Sequence, residues 1–461
     1  MKNLTQRRTF LKQLAAAGIG VGGLGAWSDL QRIAAAASVS PTAKAVGEDY
    51  RALVCLFMFG GNDGNNTVIP TATGEYQQYA TGRTPVLALA QGAVLPITTN
   101  TPGRTFGIHP AMIGLQGLIN QSKAAVVANV GPLMAPTSRA DFQARRVPIP
   151  VDLYSHSDQQ AQWQSSISDG APRSGWGGRI GDLMKTANGT NSSSTLISVS
   201  GNNLFEVGTT ISSFKVSSNN QFGFDFYKGS AAADPLSKGI TNLLGVPSVN
   251  LFEGAWKEVI QRAIQNQQVL ASALAAVPPF VTTFPDTSIG NQMEMIARLI
   301  SARAALGLKR QVFFCSIGGF DTHGETQQAD QTRLLGQVSA AMTALYNATV
   351  ELDCAPLVTQ FTASDFNRTF PSNGKGSDHA WGSHHFVVGG SVRPGGMVGT
   401  FPTLVRSGPD DTGGSGLWIP TTSVDQYGGT LAKWFGVGVG ELNTIFPNLA
   451  RFPAADLGFL A

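Results

Sequence analysis

Charge is scarce in this 461-residue chain: only 13% of its residues are Asp, Glu, Lys or Arg, and the formal net charge is +3. That balance builds no basic field for nucleic acid, and without a lysine-rich run there is no obvious means of gripping an anionic membrane surface. Cysteine is nearly missing. Cys55, Cys315 and Cys354 are odd in number, lie in or beside apolar runs and show neither metal-ligand spacing nor a C-x-x-C pair. They read as buried strand residues, with one disulfide left open for an oxidising compartment. No repeat of solenoid length occurs. The apolar stretch Leu14 to Trp27 is too short and too glycine-rich for a stable membrane span.

What precedes that stretch is informative. Gln6-Arg7-Arg8-Thr9-Phe10-Leu11-Lys12, then the apolar run, then Ala34 to Ala37 as small residues for cleavage, read as a twin-arginine signal peptide over residues 1–37. An uncleaved N-terminal anchor is the alternative. The signal predicts a periplasmic or extracellular protein that meets the twin-arginine translocase already folded, often with its cofactor installed. The remainder, 45–461, is long enough for one large α/β domain or two smaller ones, and one domain is the favoured reading.

Ala52 to Phe59, Ala124 to Val130, Gln311 to Ile317, Pro356 to Phe361 and His385 to Val388 read as buried parallel strands. Leu334, Leu335, Val338, Met342 and Leu345 recur with helical spacing between the third and fourth, which makes a βαβ unit. Further helices are expected over 292–308 and 111–118, the second with Pro110 at its first position. Segment 190–220 looks like a loop or edge-strand elaboration, and 66–105 and 400–422 like surface excursions. In an open parallel sheet, ligands bind outside the carboxyl ends of the strands.

Five of the six histidines fall in polar clusters beside those strands, each near an aspartate, and imidazole with carboxylate is a first-choice donor set for zinc or manganese. Gly60-Gly61-Asn62-Asp63-Gly64 follows the first strand and leaves Asp63 at its mouth. Tyr154-Ser155-His156-Ser157-Asp158 looks like a helix start, where backbone amides receive an anionic group, so Ser155 or Ser157 is a candidate nucleophile beside His156. Ordinary helix capping by Ser157 or Asp158 is the competing reading. Gly318 to His323 places Asp321 and His323 where both reach one ion. Asp365 and Arg368, then Asp378, His379, His384 and His385, complete the set, with Arg368 either clamping an oxyanion or bridging to Asp365. Of the adjacent pair His384 and His385, one faces inward. His109 reads as a helix-packing residue.

The twin-arginine leader, the Gly-Gly-Asn-Asp-Gly core, Gly107-Ile108-His109-Pro110, Ser155-His156, Gly175-Trp176-Gly177-Gly178-Arg179, Gly318 to His323, Ser364 to Thr369 and Asp378-His379-Ala380-Trp381-Gly382 together resemble the family called domain of unknown function 1501. That family is similar to the alkaline phosphatase and sulfatase superfamily. The resemblance implies a three-layer α/β sandwich with a mostly parallel central sheet and paired metal ions at its carboxyl end. It implies metal roles for Asp63, Asp321, His323, Asp365 and His385 and a hydroxyl nucleophile at Ser155 or Ser157. Two positions depart from the pattern: Phe366 stands where histidine is usual, and Asp321 and His323 are closely spaced. One metal site is then incomplete, or Asp378 and His379 supply its ligands.

The reading that follows is an exported hydrolase, dependent on a divalent ion (zinc, manganese or calcium), acting on a small phosphate or sulfate ester. Its alternative is an exported binding or assembly protein that keeps the fold without turnover. A carbohydrate-active enzyme with paired carboxylates has only Asp63 and Asp365 in its favour.

Overall fold

Ala52, Val54, Leu56 and Met58 face one side of the strand Arg51–Met58 and Leu53, Cys55 and Phe57 the other, and all seven are buried. A strand apolar on both faces needs cover on both, which is the condition for a parallel sheet between helical layers. A computed structural model of the chain describes residues 49–189, 195–218, 227–228, 234–248 and 250–461. The expected signal peptide, 1–37, lies outside the described residues, as does part of 190–220.

The described strands in chain order are β1 (Arg51–Met58), β2 (Val68–Pro70), β3 (Leu95–Ile97), β4 (Phe106–Ile108), β5 (Ala124–Gly131), β6 (Leu196–Ser198), β7 (Phe214–Lys215), β8 (Arg310–Ile317), β9 (Val358–Ser364), β10 (Ser383–Gly389), β11 (Met397–Val398) and β12 (Thr422–Ser423). The main sheet runs β11-β5-β10-β9-β1-β8-β6-β7, with β12 also on β5. All its pairings are parallel except those of β10, which is antiparallel to both β5 and β9. The sequence had suggested a parallel strand there. No helix lies between β9 and β10, and without a crossover the chain can only turn back on itself.

On one face the helices Ile113–Asn120, Ser288–Ser301 and Gln327–Glu351 cover the sheet; on the other lie His156–Ser165, Trp176–Met184 and Val424–Phe435. The expected crossover helix is present and longer than its apolar signal. The helix expected over 292–308 begins earlier because Thr287 caps it, its side chain accepting from Gly290 N. That expected over 111–118 starts at Ile113, so Pro110 precedes the cap rather than opening the first turn. Segment 66–105 is more ordered than its composition indicated: it carries the helix Thr73–Leu87 and two strands, β2 and β3, of a small antiparallel sheet that β4 completes in the order β2-β4-β3. Pro85 and a left-handed Thr84 kink that helix, which disguised it. The three cysteines are buried and none is in a disulfide.

Arg83, on that kinked helix, ties it to the sheet. Its guanidinium pairs with Asp63 and donates to Asn66 Oδ1, Thr369 O and Phe370 O, with both partners of the ion pair almost wholly buried. Arg83→Ala should cost about 3–5 kcal/mol, because it leaves a buried carboxylate unpaired; a urea midpoint lowered with unchanged slope checks this. Glu206 is a second buried acid. Burial pushes its pKa up to about 8, against hydrogen bonds from Asn203 and Ser213 and the charge of Lys215. A raised carboxyl stabilises below its unfolded pKa and loses that contribution as pH rises through the folded value. Between pH 7 and 8 the wild type should therefore lose about 1 kcal/mol that Glu206→Gln does not lose, read from paired melts.

Candidate metal centre

Strands β8, β1 and β9 end level with one another, Met58 opposite both Ile317 and Ser364. Their exits therefore lie side by side: Gly60-Gly61 after β1, Asp321 and His323 after β8, Asp365 and Arg368 after β9. The loop from β9 folds back so that Arg368 and His379 form an antiparallel bridge, bringing His379 to the same place. His156 arrives from the other direction as the first residue of its helix, with Ser155 at the N-cap.

Three imidazoles converge on one carboxylate oxygen. His156 Nε2 lies 3.4 Å, His323 Nε2 2.9 Å and His379 Nε2 3.6 Å from Asp321 Oδ1. Each ring is anchored through its other nitrogen: His156 Nδ1 on Asp365 Oδ2 at 2.7 Å, His323 Nδ1 on Asp378 Oδ1 at 3.1 Å, His379 Nδ1 on the Tyr154 carbonyl at 2.7 Å. A carbonyl only accepts, so His379 must carry its hydrogen on Nδ1, and the carboxylates call for the same tautomer in the other two. All three Nε2 lone pairs then face the cluster. His156 Nε2 is buried without a hydrogen-bond partner, and His323 Nε2 lies 2.9 Å from His379 Nε2. Lone pairs so close repel unless positive charge lies between or beside them.

His156, Asp321 and His379 form the compact group, with one donor atom from each within 4.8 Å of the others. Donors about 2.0–2.1 Å from a tetrahedral ion stand roughly 3.3 Å apart, close to the separations from Asp321 to the two rings. The protonation states suit an ion. Burial lowers the His379 pKa, the Tyr154 carbonyl opposes this, and the charge of Arg368 adds to the lowering, which keeps the imidazole neutral. Burial would raise Asp321, but the Arg368 hydrogen bond and charge, with His156 and His323 alongside, outweigh it and hold the carboxyl below its usual range. Asp378 is also held low, first by its hydrogen bond from Asn373 and then by His323, against burial.

The family model described as Protein of unknown function (DUF1501) matches residues 50–410. The chain belongs to the DUF1501 family. No curated protein matches it significantly. Among solved structures, the lipoteichoic acid synthase LtaP from Listeria monocytogenes overlays with a TM-score of 0.34 at 7% identity, covering 89% of this chain and 78% of that one. Ps i-CgsB overlays with a TM-score of 0.34 at 9% identity, over 86% and 74% respectively.

Of the residues nominated from sequence, this DUF1501 chain brings together His156, Asp321, His323, Asp365, Arg368, Asp378 and His379. Others are engaged differently. Asp63 does not stand free at the strand mouth: it is buried against Arg83, accepts from Gln327 Nε2 at 2.7 Å and caps a short helix. His385 lies inside the sheet beside Thr362, its ring 4.5 Å from Trp163, and burial lowers its pKa to about 3. His384, pushed to about 3 by the same cause, stacks on Phe401. His109 is also buried, its Nδ1 accepting from Ala111 N. Ser155 and Ser157 both donate to Asp158 Oδ2, so their hydroxyls are tied to the helix start rather than to the imidazoles.

Arg368 differs from both of its expected roles. It pairs with Asp321, not Asp365, and donates to the carbonyls of Gly60, Gly61, Phe320 and Ser377. Three roles escaped the sequence reading. Tyr154 holds a left-handed φ of 72°, a strained conformation of order 1–3 kcal/mol for a non-glycine residue, and so presents its carbonyl to His379. Gln160 donates to Asp365 Oδ2 at 2.7 Å, and its i+4 spacing from His156 was the available signal. Phe366 packs its ring 4.7 Å from His156 and 4.5 Å from His379, as a wall rather than a ligand.

Asp365 fixes the orientation of His156, so removing its charge should loosen the centre without unfolding it. Asp365→Asn is expected to weaken zinc binding by about 10–100-fold, measured by competition with a chromophoric chelator, while the thermal melt stays cooperative.

Proposed function

We propose that this protein is an exported, divalent-metal-dependent hydrolase of small phosphate or sulfate esters, with an alkaline phosphatase-like fold. The observation that carries the metal is the set of imidazoles anchored through Nδ1 with Nε2 turned towards Asp321, the partnerless His156 Nε2 among them. His156, Asp321 and His379 would hold the ion, with His323 beside them. A donor set so rich in nitrogen favours zinc or a related transition metal over calcium, which prefers all-oxygen sites. Such an ion supplies Lewis acidity, polarising an ester oxygen and acidifying water.

The chain's own residues do the rest. Asp365 and Tyr154 fix two imidazole tautomers, Arg368 keeps Asp321 ionised, and Phe366 closes one side of the centre to water. Ser155 and Ser157 lie outside this arrangement, so water is the proposed nucleophile in place of either serine. The parallel sheet with helices on both faces, the site at its strand exits and the sequence resemblance support the substrate class and the fold. Export through the twin-arginine translocase rests on the leader.

A second reading, a non-catalytic binding protein, is favoured by one observation: Arg368 has its donors committed to the protein, leaving no free guanidinium for an anion. Turnover of para-nitrophenyl phosphate and para-nitrophenyl sulfate separates the two. The hydrolase should show turnover that a chelator abolishes and zinc or manganese restores. Asp321→Asn and His156→Ala should reduce it by at least about 100-fold, while Ser155→Ala/Ser157→Ala leaves it within about threefold. Stoichiometric metal with no hydrolysis of either ester would favour the binding protein.

A further inference from the structure

Two halves of the cluster meet at Asp321 Oδ1. On one side stand His156 Nε2 and His379 Nε2, the compact group already described. On the other, His323 Nε2 is 2.9 Å from the same oxygen, a pair of donors spaced as two ligands of one ion would be. A guanidinium already bridges that pair. Arg368 Nη2 donates to Asp321 Oδ1 at 2.7 Å and Nη1 to His323 Nε2 at 3.2 Å.

The bridge is not a mobile surface contact. The Arg368 side chain is fully buried, and its other donors go to Gly60 O, Gly61 O, Phe320 O and Ser377 O, which leaves it no room to swing away. The other carboxylates near the centre are engaged with the protein. Asp63 is paired with Arg83 and Gln327; Asp365 accepts from His156, Gln160 and Gly60 N; Asp378, the exposed one, accepts from Asn373 and from His323 Nδ1, on the side of that ring away from Asp321.

We propose that Arg368 is the second cation of this centre, built into the chain, and that the centre accordingly takes one metal ion, at His156, Asp321 and His379. This rests on the metal reading above and departs from the paired ions implied by the resemblance. Two positive charges then flank Asp321, of which a chelator can remove only one. Arg368 acts as a positioning residue. It fixes Asp321 and His323 whether or not metal is bound, and it stands where a second ion would otherwise bind.

The test is the zinc stoichiometry of the purified chain, stripped with a chelator and titrated with zinc alone under native mass spectrometry. One ion per chain, lost in His156→Ala, is the expected result. Two ions, the second lost in His323→Ala, would overturn the inference and leave the metal reading standing; none would overturn both. Arg368→Gln, with its fold checked by circular dichroism and melting, supplies a sign. Freed from its competitor, the site should admit a second zinc or bind the first about tenfold more tightly. Weaker binding and no second ion would show that Arg368 is only a scaffold. If that variant does not fold, the wild-type count decides alone.

Discussion

Everything at the carboxyl edge of the sheet depends on the burial of one guanidinium. Arg368 reaches from the exit of β9 across the exit of β1, where it meets the carbonyls of Gly60 and Gly61, to the exit of β8, where it meets Phe320 O and Asp321. A buried arginine is costly unless its donors are satisfied, so the three loops must hold their carbonyls towards it. That requirement explains the paired glycines. Gly60 and Gly61 have φ of 110° and 82°, and a Cβ on the first would collide with Asp321 N, on the second with the Phe366 ring. The glycines let the loops close around the arginine.

The architecture was largely legible because its signals are local. Both-face burial in β1, β5, β8 and β9 writes a continuous apolar run, and the helix Gln327–Glu351 writes its own period. β10 was found, but its direction was not, because direction is set by the connection rather than by the strand's own residues. The helix Thr73–Leu87 was hidden by Pro85 and by turn-forming residues, and only its tertiary contacts through Tyr79 and Arg83 reveal its place.

At the site, sequence located the loops better than the roles within them. Aspartates and histidines at strand exits announce a centre, but nothing in one dimension distinguishes an aspartate that faces it from one turned inward. Asp63 follows β1 as plainly as Asp321 follows β8, yet Asp63 meets Arg83, which comes from a helix not foreseen. His385 was assigned to the centre when strand alternation and full burial place it among Trp163, Thr362 and Tyr427. Tyr154 contributes a backbone carbonyl, which every residue has and no side chain advertises.

The same geometry constrains how the centre would meet an anionic ester. Asp321 and Asp378 are the exposed carboxylates at its opening, and Lys375 nearby is paired with Glu325. With Arg368 turned inward, these protein groups give the opening a negative field, which repels phosphate and sulfate and attracts divalent cations. A bound cation reverses that local sign and supplies the attraction that the chain lacks. On the proposed reading, metal must precede substrate: one ion both creates the affinity for the ester and polarises it, so loss of the ion removes binding and chemistry together.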